Sequence, residues 1–379
     1  MSRGIDDIAL RVESAERVSD GDALRLLRHP DLAEIAWLAR TRRQQLVPGD
    51  VVTYVGGRNV NYTNVCYVDC TFCAFYRHRD APDAYLQTRE ELLSRIREMV
   101  EAGGTEILLQ GGLNPELRID WYESLFRDVR ATFPSAHLHA LTSTEVRYIA
   151  KRSHLTIEET LRRLVDAGLN SLPGGGAEML PDRVRKELAP LKETGAEWIA
   201  CHEAAHALGL KSSATMMYGH VETMEERVEH MALVRALQDR TGGVRAFICW
   251  SFQGPGPALS AIPSTGYDYL RTAAVGRIYL DNVPHHQASW VTQGPKIAQV
   301  SLGYGIDDMG STMMEENVVS AAGTTFRLDA PEIERLIEDA GFRPAQRDTN
   351  YRLLNAPGTP GPARVAAERL ALAAAAKVS

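Results

Sequence analysis

The feature that most constrains this fold is a repeated alternation of short apolar runs with longer amphipathic segments, which begins at Val51. Each apolar run has the length of a strand, and each segment between two runs has the spacing of a helix. Strands that alternate with helices through right-handed crossovers form a parallel sheet. The apolar runs are 60–65, 106–110, 136–141, 168–172, 212–217, 245–250 and 286–291, and an eighth is expected at 308–311.

The helical segments between these runs complete the pattern. They are 89–102, 121–132, 156–167, 197–208, 222–238, 267–280, 295–304 and 331–340. Eight strand–helix units predict an α/β fold, a (β/α)8 TIM-type barrel that is closed or nearly closed. An open doubly wound sheet is the alternative, because periodicity does not separate the two. We expect an N-terminal helical extension (1–58), the barrel (59–345) and a C-terminal tail (346–379).

One short loop, NYTNVCYVDCTFCAFYR, carries three of the five cysteines: Cys66, Cys70 and Cys73. A structural zinc site needs four ligands, usually as two separated pairs, and no second pair follows here. Three thiolates can instead hold three irons of a 4Fe–4S cluster, because soft sulfur ligands suit such clusters. The fourth iron is then free for a substrate or cofactor. The alternatives are a loop of buried thiols or a zinc site completed by His78.

Composition excludes several classes of partner. The 379 residues carry a formal net charge of −7, which argues against nucleic acid or an anionic membrane as the main partner. No segment reaches the roughly 18 uninterrupted apolar residues of a membrane span. The first 20 residues have no signal-peptide core. Together with cysteines at ligand spacing, these features predict a protein of the reducing cytoplasm.

The spacing Cys-x3-Cys-x2-Cys, with Phe72 before the last cysteine, resembles the cluster loop of the radical S-adenosylmethionine (SAM) enzymes. The resemblance implies that Cys66, Cys70 and Cys73 hold a 4Fe–4S cluster. It also implies that the open iron chelates SAM, and that reduction of the cluster cleaves SAM to methionine and a 5′-deoxyadenosyl radical. An electron donor such as flavodoxin or ferredoxin is then required.

The same resemblance implies which other residues hold the cofactor. Besides Phe72 they are Gly111, Gly112, Ser143, Glu178, Tyr218 and Glu222. A glycine pair lets the backbone approach the SAM amino group closely, and Glu178 can accept hydrogen bonds from the SAM ribose or amino group. The alternatives are a simple turn at the glycine pair, a solvated Glu178, and a Glu222 that only charges the first turn of a helix.

His202-Glu203-Ala204-Ala205-His206 spells the HExxH pattern of zinc proteases. No third ligand follows at the spacing of such proteases, and the segment lies in a crossover helix. Crossover helices form the outer shell of a barrel, so we interpret both residues as surface histidines.

Several stretches resemble a narrower family, the dehypoxanthine futalosine cyclases (cyclic dehypoxanthinyl futalosine synthases) of the futalosine route to menaquinone. The most specific are SWVTQG (289–294) and MEENVVSAAG (314–323). The resemblance implies that the radical removes the C4′ hydrogen of the substrate ribose, and that the sugar radical then adds to the benzoate ring. A base must take the last proton, and its candidates are Glu145, His220 and Asp308.

Substrate-binding candidates follow from the same late strands. Trp250 and Trp290 offer aromatic walls, which suit a ligand with ring systems, although core packing is the alternative. The donors for the substrate carboxylate are expected among Ser289, Thr292, Gln293 and Lys296. Each of these could instead be structural.

Three other functions stay open from the sequence. Some stretches, such as SATMMYGHVET, also resemble aminofutalosine synthase, and deazaflavin-precursor synthases are the next relatives. Cys249 stands where a proline would be usual in either futalosine enzyme. An iron–sulfur carrier or sensor is the non-enzymatic alternative, and it would leave the motifs at the barrel mouth unexplained.

Overall fold

The computed structural model describes residues 4–253, 264–315 and 317–375. Its strands are β1 (Val51–Val55), β2 (Gly57–Asn61), β3 (Glu106–Gln110), β4 (His137–Ala140), β5 (Ser171–Leu172), β6 (Lys211–Tyr218), β7 (Val244–Ser251), β8 (His285–Gln287), β9 (Asp308–Ser311) and β10 (Arg343–Arg347). Its α-helices are α1 (Asp6–Glu13), α2 (Asp20–Arg28), α3 (Leu32–Leu46), α4 (Arg89–Glu101), α5 (Ile119–Thr132), α6 (Ser143–Ser153), α7 (Ile157–Ala167), α8 (Asp182–Leu188), α9 (Gly195–Ala207), α10 (Met224–Thr241), α11 (Gly266–Tyr279), α12 (Trp290–Ser301), α13 (Ala330–Asp339) and α14 (Pro362–Ala375).

The ten strands form one parallel sheet in the order β10-β1-β9-β8-β7-β6-β5-β4-β3-β2. Only Gly56 separates β1 from β2, so the two strands continue each other and join the ends of the curled sheet. Val55 and Gly57 accept hydrogen bonds from Thr312 and Met314, which follow β9, while Gly56 accepts from the start of β3. The sheet is therefore a nearly closed barrel, and the predicted fold class is confirmed.

The N-terminal helices are present, and α2 and α3 pack on α10 and α11, but β1 (Val51–Val55) lies inside the segment 1–58 that was expected to be a helical extension. Ser19 begins α2 with a capping box, in which its side chain and that of Asp22 each bond the other residue's backbone N–H. Apolar residues of this extension, such as Ile8, Leu26 and Ile35, share one buried core with Ile278 of α11. At the other terminus, β10 pairs with β1 and crosses the expected boundary at residue 345.

Several elements, among them β1, α8 and β10, were not predicted, and two further differences involve predicted site residues. The segment after β4, predicted as a loop, begins α6, because Thr142 and Glu145 form a capping box. The segment after β8 begins α12 at Trp290, whose indole N–H bonds the carbonyl of Ser311 at 3.1 Å. Gly294, with a φ of 78°, interrupts the helical backbone of α12 directly before Pro295.

Candidate active site

A cavity of about 270 Å³ lies at the carboxyl ends of the strands, where barrel enzymes carry their sites. One wall is polar and follows β2 to β5, and the opposite wall is mostly apolar and follows β6 and β7. Its lining includes Cys66, Cys70, Phe72, Cys73, Gly111, Gly112, Glu145, Glu178 and Trp250 from the predicted site. The sequence thus predicts correctly which end of the barrel collects these residues.

The cysteine loop is fixed to the barrel by its own backbone. The backbone N–H of Cys66 bonds the carbonyl of Arg77 at 3.0 Å, which closes the loop on itself. The N–H and the hydroxyl of Thr71 both bond the carbonyl of Leu188 at 2.9 Å, which ties the loop to the end of α8. All three thiols lie partly buried on the cavity wall.

The donor set of this loop fits a 4Fe–4S cluster better than a single zinc ion. His78 is exposed, and its imidazole lies 3.3 Å from Asp69. Within the described ranges, no three His, Cys, Asp or Glu side chains stand close enough to hold one metal ion. Three thiolates around a cluster stand farther apart than three ligands of one ion. Burial raises the pKa of the Cys70 thiol to about 12, so a thiolate there needs a cationic partner such as iron.

Gly111 and Gly112, which follow β3, lie closer to their neighbours than any residue with a side chain could. A Cβ on Gly111 would lie 2.6 Å from the ring of Tyr62. A Cβ on Gly112 would lie 2.2 Å from the carbonyl oxygen of Val65 and 3.0 Å from the Cβ of Cys66. The pair therefore packs directly against the cysteine loop and leaves its backbone at the cavity.

Glu145 holds this glycine pair in place. One carboxylate oxygen accepts from the N–H of Gly111 at 3.0 Å and from the hydroxyl of Tyr62 at 2.8 Å. The other accepts from the N–H and hydroxyl of Thr142 at 2.7 and 2.8 Å. Burial raises the pKa of Glu145. Its four donors occupy both oxygens, which suits a positioning role better than proton abstraction.

The loop after β5 and the segment after α8 each bring one charge to the cavity. The ammonium of Lys192 lies 2.9 Å from the Glu178 carboxylate and 5.7 Å from the centre of the Phe72 ring. Burial alone would lower the pKa of Lys192, but Glu178 and then Cys70 raise it overall. Ser143, predicted at the cofactor, is fully buried and donates to Glu193 at 2.9 Å.

The candidates after β6 do not line this cavity. Met217 lines the cavity, and because side chains alternate along a strand, Tyr218 points away from it. The guanidinium of Arg227 lies 4.4 Å from the centre of the Tyr218 ring. Glu222 accepts from the N–H of Gly219 at 2.7 Å and from Arg227 at 2.8 Å. His220 bonds the carbonyl of Met217 at 2.9 Å, and burial lowers its pKa. These contacts shape the loop.

The candidates after β7 and β8 form a polar network beside the cavity. Gln253, which lines it, and Gln293 both donate to the hydroxyl of Ser251, at 2.9 and 2.6 Å. Gln293 also donates to Thr292, whose hydroxyl lies 2.7 Å from that of Ser289. Trp290 is buried in the core and Lys296 is exposed on α12, so neither lines the cavity.

The segment after β9 completes the apolar wall. Val318, Val319 and Ala322 line the cavity. Glu315 anchors this segment, because its carboxylate accepts hydrogen bonds from Arg58 at 2.9 Å and from Arg95.

Asp308 lies at the opposite end of the barrel. It is fully buried, and its carboxylate accepts hydrogen bonds from Nε and Nη2 of Arg347, at 2.5 and 3.0 Å. The hydroxyl of Thr53 adds a third bond at 2.5 Å. Asp308 is absent from the cavity lining, so this geometry gives it a structural partner instead of a substrate.

The expectation of surface histidines on α9 is wrong for His202, which is fully buried. Its ring stacks on Trp198 with the ring centres 3.7 Å apart. His206 bonds the hydroxyls of Thr241 and Ser212 at 2.8 and 2.9 Å. His206 therefore fastens α9 to α10 and β6, whereas His202 packs on its own helix.

Sequence reasoning missed several polar residues that line the cavity: Asn61, Gln110, Thr142, Thr144, Lys192 and Gln253. Gln110 is the last residue of β3 and Gln253 lies two residues after β7, so their positions at strand ends were a usable signal. Lys192 had no local signal, because it lies between α8 and α9 and meets Glu178 and Phe72 only in the folded chain.

Comparison with known proteins agrees with this site. Residues 60–234 match the family described as the radical SAM superfamily, and residues 241–359 match the CofH/MqnC C-terminal region. The cyclic dehypoxanthine futalosine synthase of Halalkalibacterium halodurans is 43% identical over 92% of this chain and 95% of its own length. The chain belongs to the radical SAM superfamily. The resemblance inferred from the cysteine loop is thus confirmed.

The chain is also similar in sequence to a second synthase and in fold to a solved structure. The aminodeoxyfutalosine synthase of Thermus thermophilus is 40% identical over 92% of this chain and 97% of its own length. The FeFe-hydrogenase maturase HydG of Carboxydothermus hydrogenoformans shares the fold, with a TM-score of 0.72 at 16% identity over 92% of this chain and 80% of its own.

Radical SAM enzymes use a 4Fe–4S cluster and SAM, and the chain is therefore an enzyme with these two cofactors. No described helix is long and apolar enough to cross a membrane.

Proposed function

We propose that this radical SAM enzyme cyclises dehypoxanthine futalosine to cyclic dehypoxanthinyl futalosine in menaquinone biosynthesis. The observation that carries the proposal is a single cavity that joins the cysteine loop to an aromatic and apolar wall. The 43% identity to a cyclic dehypoxanthine futalosine synthase over nearly the whole chain supports it.

The two walls of the cavity divide the binding task. The glycine pair, Glu178 and Lys192 lie on the polar wall next to the cysteines, and we assign the amino-acid and ribose groups of SAM to that wall. Trp250, Phe252 and Val318 lie on the apolar wall, which suits the benzoate ring of the substrate. Holding ribose and ring close together without water between them is a positioning task.

Cys66, Cys70 and Cys73 would hold the cluster, which with SAM bound would supply a 5′-deoxyadenosyl radical that takes up a hydrogen atom as 5′-deoxyadenosine. The substrate then loses one hydrogen atom from the ribose C4′, and the new carbon radical adds to the benzoate ring. The aromatic ring would be restored by loss of one electron to a one-electron acceptor, such as the oxidised cluster, and of one proton to a base. The product is therefore two hydrogens lighter than the substrate.

Roles for individual residues follow from their positions. Among the candidate bases Glu145, His220 and Asp308, only Glu145 borders the cavity, and we propose that it positions the glycine pair instead of taking a proton, because four donors occupy its two oxygens. Among the candidate carboxylate donors we propose Gln293, which is linked to the cavity residue Gln253 through the Ser251 hydroxyl and would exchange one of its bonds, to Ser251 or Thr292, for one to the carboxylate. The electron is proposed to come from a flavodoxin or ferredoxin.

Aminofutalosine synthase activity is the second candidate. The 40% identity to the Thermus thermophilus enzyme covers as much of the chain as the first comparison does.

The test is an anaerobic assay of the reconstituted protein with dithionite and SAM, with and without dehypoxanthine futalosine. We expect 5′-deoxyadenosine to form in proportion to a product two mass units lighter than the substrate. Formation of 5′-deoxyadenosine without that product would redirect the assignment to aminofutalosine synthase. An intact cluster that cleaves no SAM would contradict the enzyme and favour an iron–sulfur carrier or sensor.

A further inference from the structure

We propose that a surface groove beside the cysteine loop is the docking site of the electron donor, and that this donor is a small acidic one-electron carrier protein. The inference rests on the proposed need for such a donor. The groove, of about 450 Å³, lies between the cysteine loop, α6 and the segment after α8. Its lining includes Tyr67, Tyr148, Lys151, Leu155 and Leu191, and we call it the cysteine-side groove.

Only one layer of side chains separates this groove from the cysteines. Leu113, Thr144 and Lys192 line both the groove and the cavity. Cys66 and Cys70 pack against the small apolar cluster that contains Leu113 and Tyr148. Because electron transfer slows steeply with distance, this thin wall is a favourable point of entry.

Two tyrosines mark the wall. The rings of Tyr67, next to Cys66 in the chain, and Tyr148 on α6 stand 5.0 Å apart. The cavity on the other side belongs to SAM and the substrate during turnover. A protein reductant must therefore approach the cysteines from outside, where the groove is.

The surface of the groove has the composition of a protein contact. Tyr67 is 41% exposed and Leu191 is 57% exposed, so an aromatic and an aliphatic side chain stand open to solvent together. Contact surfaces are enriched in exposed tyrosine, and electron-transfer encounters bury small areas. A shallow groove of this size suits a transient partner.

The free charge of the groove is positive. Arg147 pairs with Glu197, Lys192 pairs with Glu178, and Glu193 lies 3.5 Å from Arg185. Lys151 is exposed and has no ion pair within the described ranges. The groove lining holds three cations (Arg147, Lys151 and Lys192) and two carboxylates (Glu193 and Glu197), so it is locally positive in a chain whose net charge is −7, and it favours an acidic protein more than the average surface does. This difference in charge favours an acidic carrier over a basic one.

The experiment compares two reductants on the reconstituted holoenzyme, with cluster reduction followed by stopped-flow absorbance. The variants are Lys151→Glu and Leu191→Glu, and the matched control is Arg40→Glu, an exposed cation on α3 without an ion pair in the described chain. With a reduced acidic ferredoxin we expect both variants to slow cluster reduction about tenfold and to flatten its dependence on salt. With dithionite, all three variants should match the wild type.

Because the readout is cluster reduction, it requires no futalosine substrate and is independent of the proposed cyclisation. Equal slowing with both reductants would contradict the proposal, since it would indicate a damaged cluster. Unchanged reduction by ferredoxin in both variants would also contradict it, as would equal slowing by Arg40→Glu.

Discussion

The two ends of the barrel both concentrate titratable side chains, but they arrange them in opposite ways. At the amino ends of the strands, Asp308 is bound to Arg347 and Asp307 to Arg277, all of them fully or almost fully buried. At the carboxyl ends, the cysteines and Lys192 line an open cavity. Burying a charge is costly unless it is paired, and at the amino end each of these charges has a partner within the protein, so we call it the closed end. Polar groups that face a cavity, and not charge alone, mark the site.

The largest expected effect separates the cysteines by position. Replacing Cys66, Cys70 or Cys73 by alanine should remove the cluster and abolish 5′-deoxyadenosine formation, because each thiolate holds one iron. The measurement is iron content and 5′-deoxyadenosine after anaerobic reconstitution.

The matched controls are Cys201→Ala and Cys249→Ala, which lie buried outside the cavity. They should retain iron and SAM cleavage. A loss of iron in either control that equals the loss in the loop variants would contradict the assignment.

The next effect tests the closed end. Arg347→Ala leaves the Asp308 carboxylate buried without its cation, and breaking such a pair costs about 3–5 kcal/mol of unfolding free energy. Urea denaturation measures it. Arg343→Ala is the control, because its pair with Asp50 is more than half exposed and should change stability little.

Asp308→Asn sharpens the same comparison. A destabilised enzyme that retains its kcat below its unfolding transition fits a structural Asp308. Full stability with a collapsed kcat would instead make Asp308 the base.

The closed end should also respond to acid. Arg277, His285 and the backbone N–H of His286 outweigh burial and lower the pKa of Asp307 from 3.8 to about 2. A depressed pKa in the folded state contributes stability above pH 4 that is lost as the pH falls towards 2. The free energy of unfolding should therefore drop by about 2 kcal/mol over this range.

Asp307→Asn should flatten that part of the pH profile. An unchanged slope in this variant would assign the acid sensitivity to other carboxylates.

The fold was largely predictable, because eight strand–helix units leave few parallel topologies. The start of α6 was missed although Thr142-x-x-Glu145 is a visible capping box. The outward direction of Tyr218 follows from the alternation of β6 once Met217 faces the cavity. Lys192 and the buried pairing of Asp308 with Arg347 depend on contacts between distant parts of the chain, which no local pattern reports.

The smallest expected effect concerns Glu145, which shares features with both the cavity carboxylates and the paired carboxylates of the closed end. Glu145 borders the cavity, yet it is bonded as fully as the acids of the closed end. In Glu145→Gln, the amide NH2 replaces one of the two accepting oxygens. The backbone N–H of Gly111 or of Thr142 then has no acceptor, and such an unsatisfied buried group costs about 1–3 kcal/mol. We expect SAM to bind about tenfold more weakly, with kcat at saturating SAM and its pH profile nearly unchanged. Glu91→Gln is the control, because Glu91 caps α4 in the same way at an exposed position. A collapsed kcat with unchanged SAM affinity would instead make Glu145 the base and contradict its positioning role.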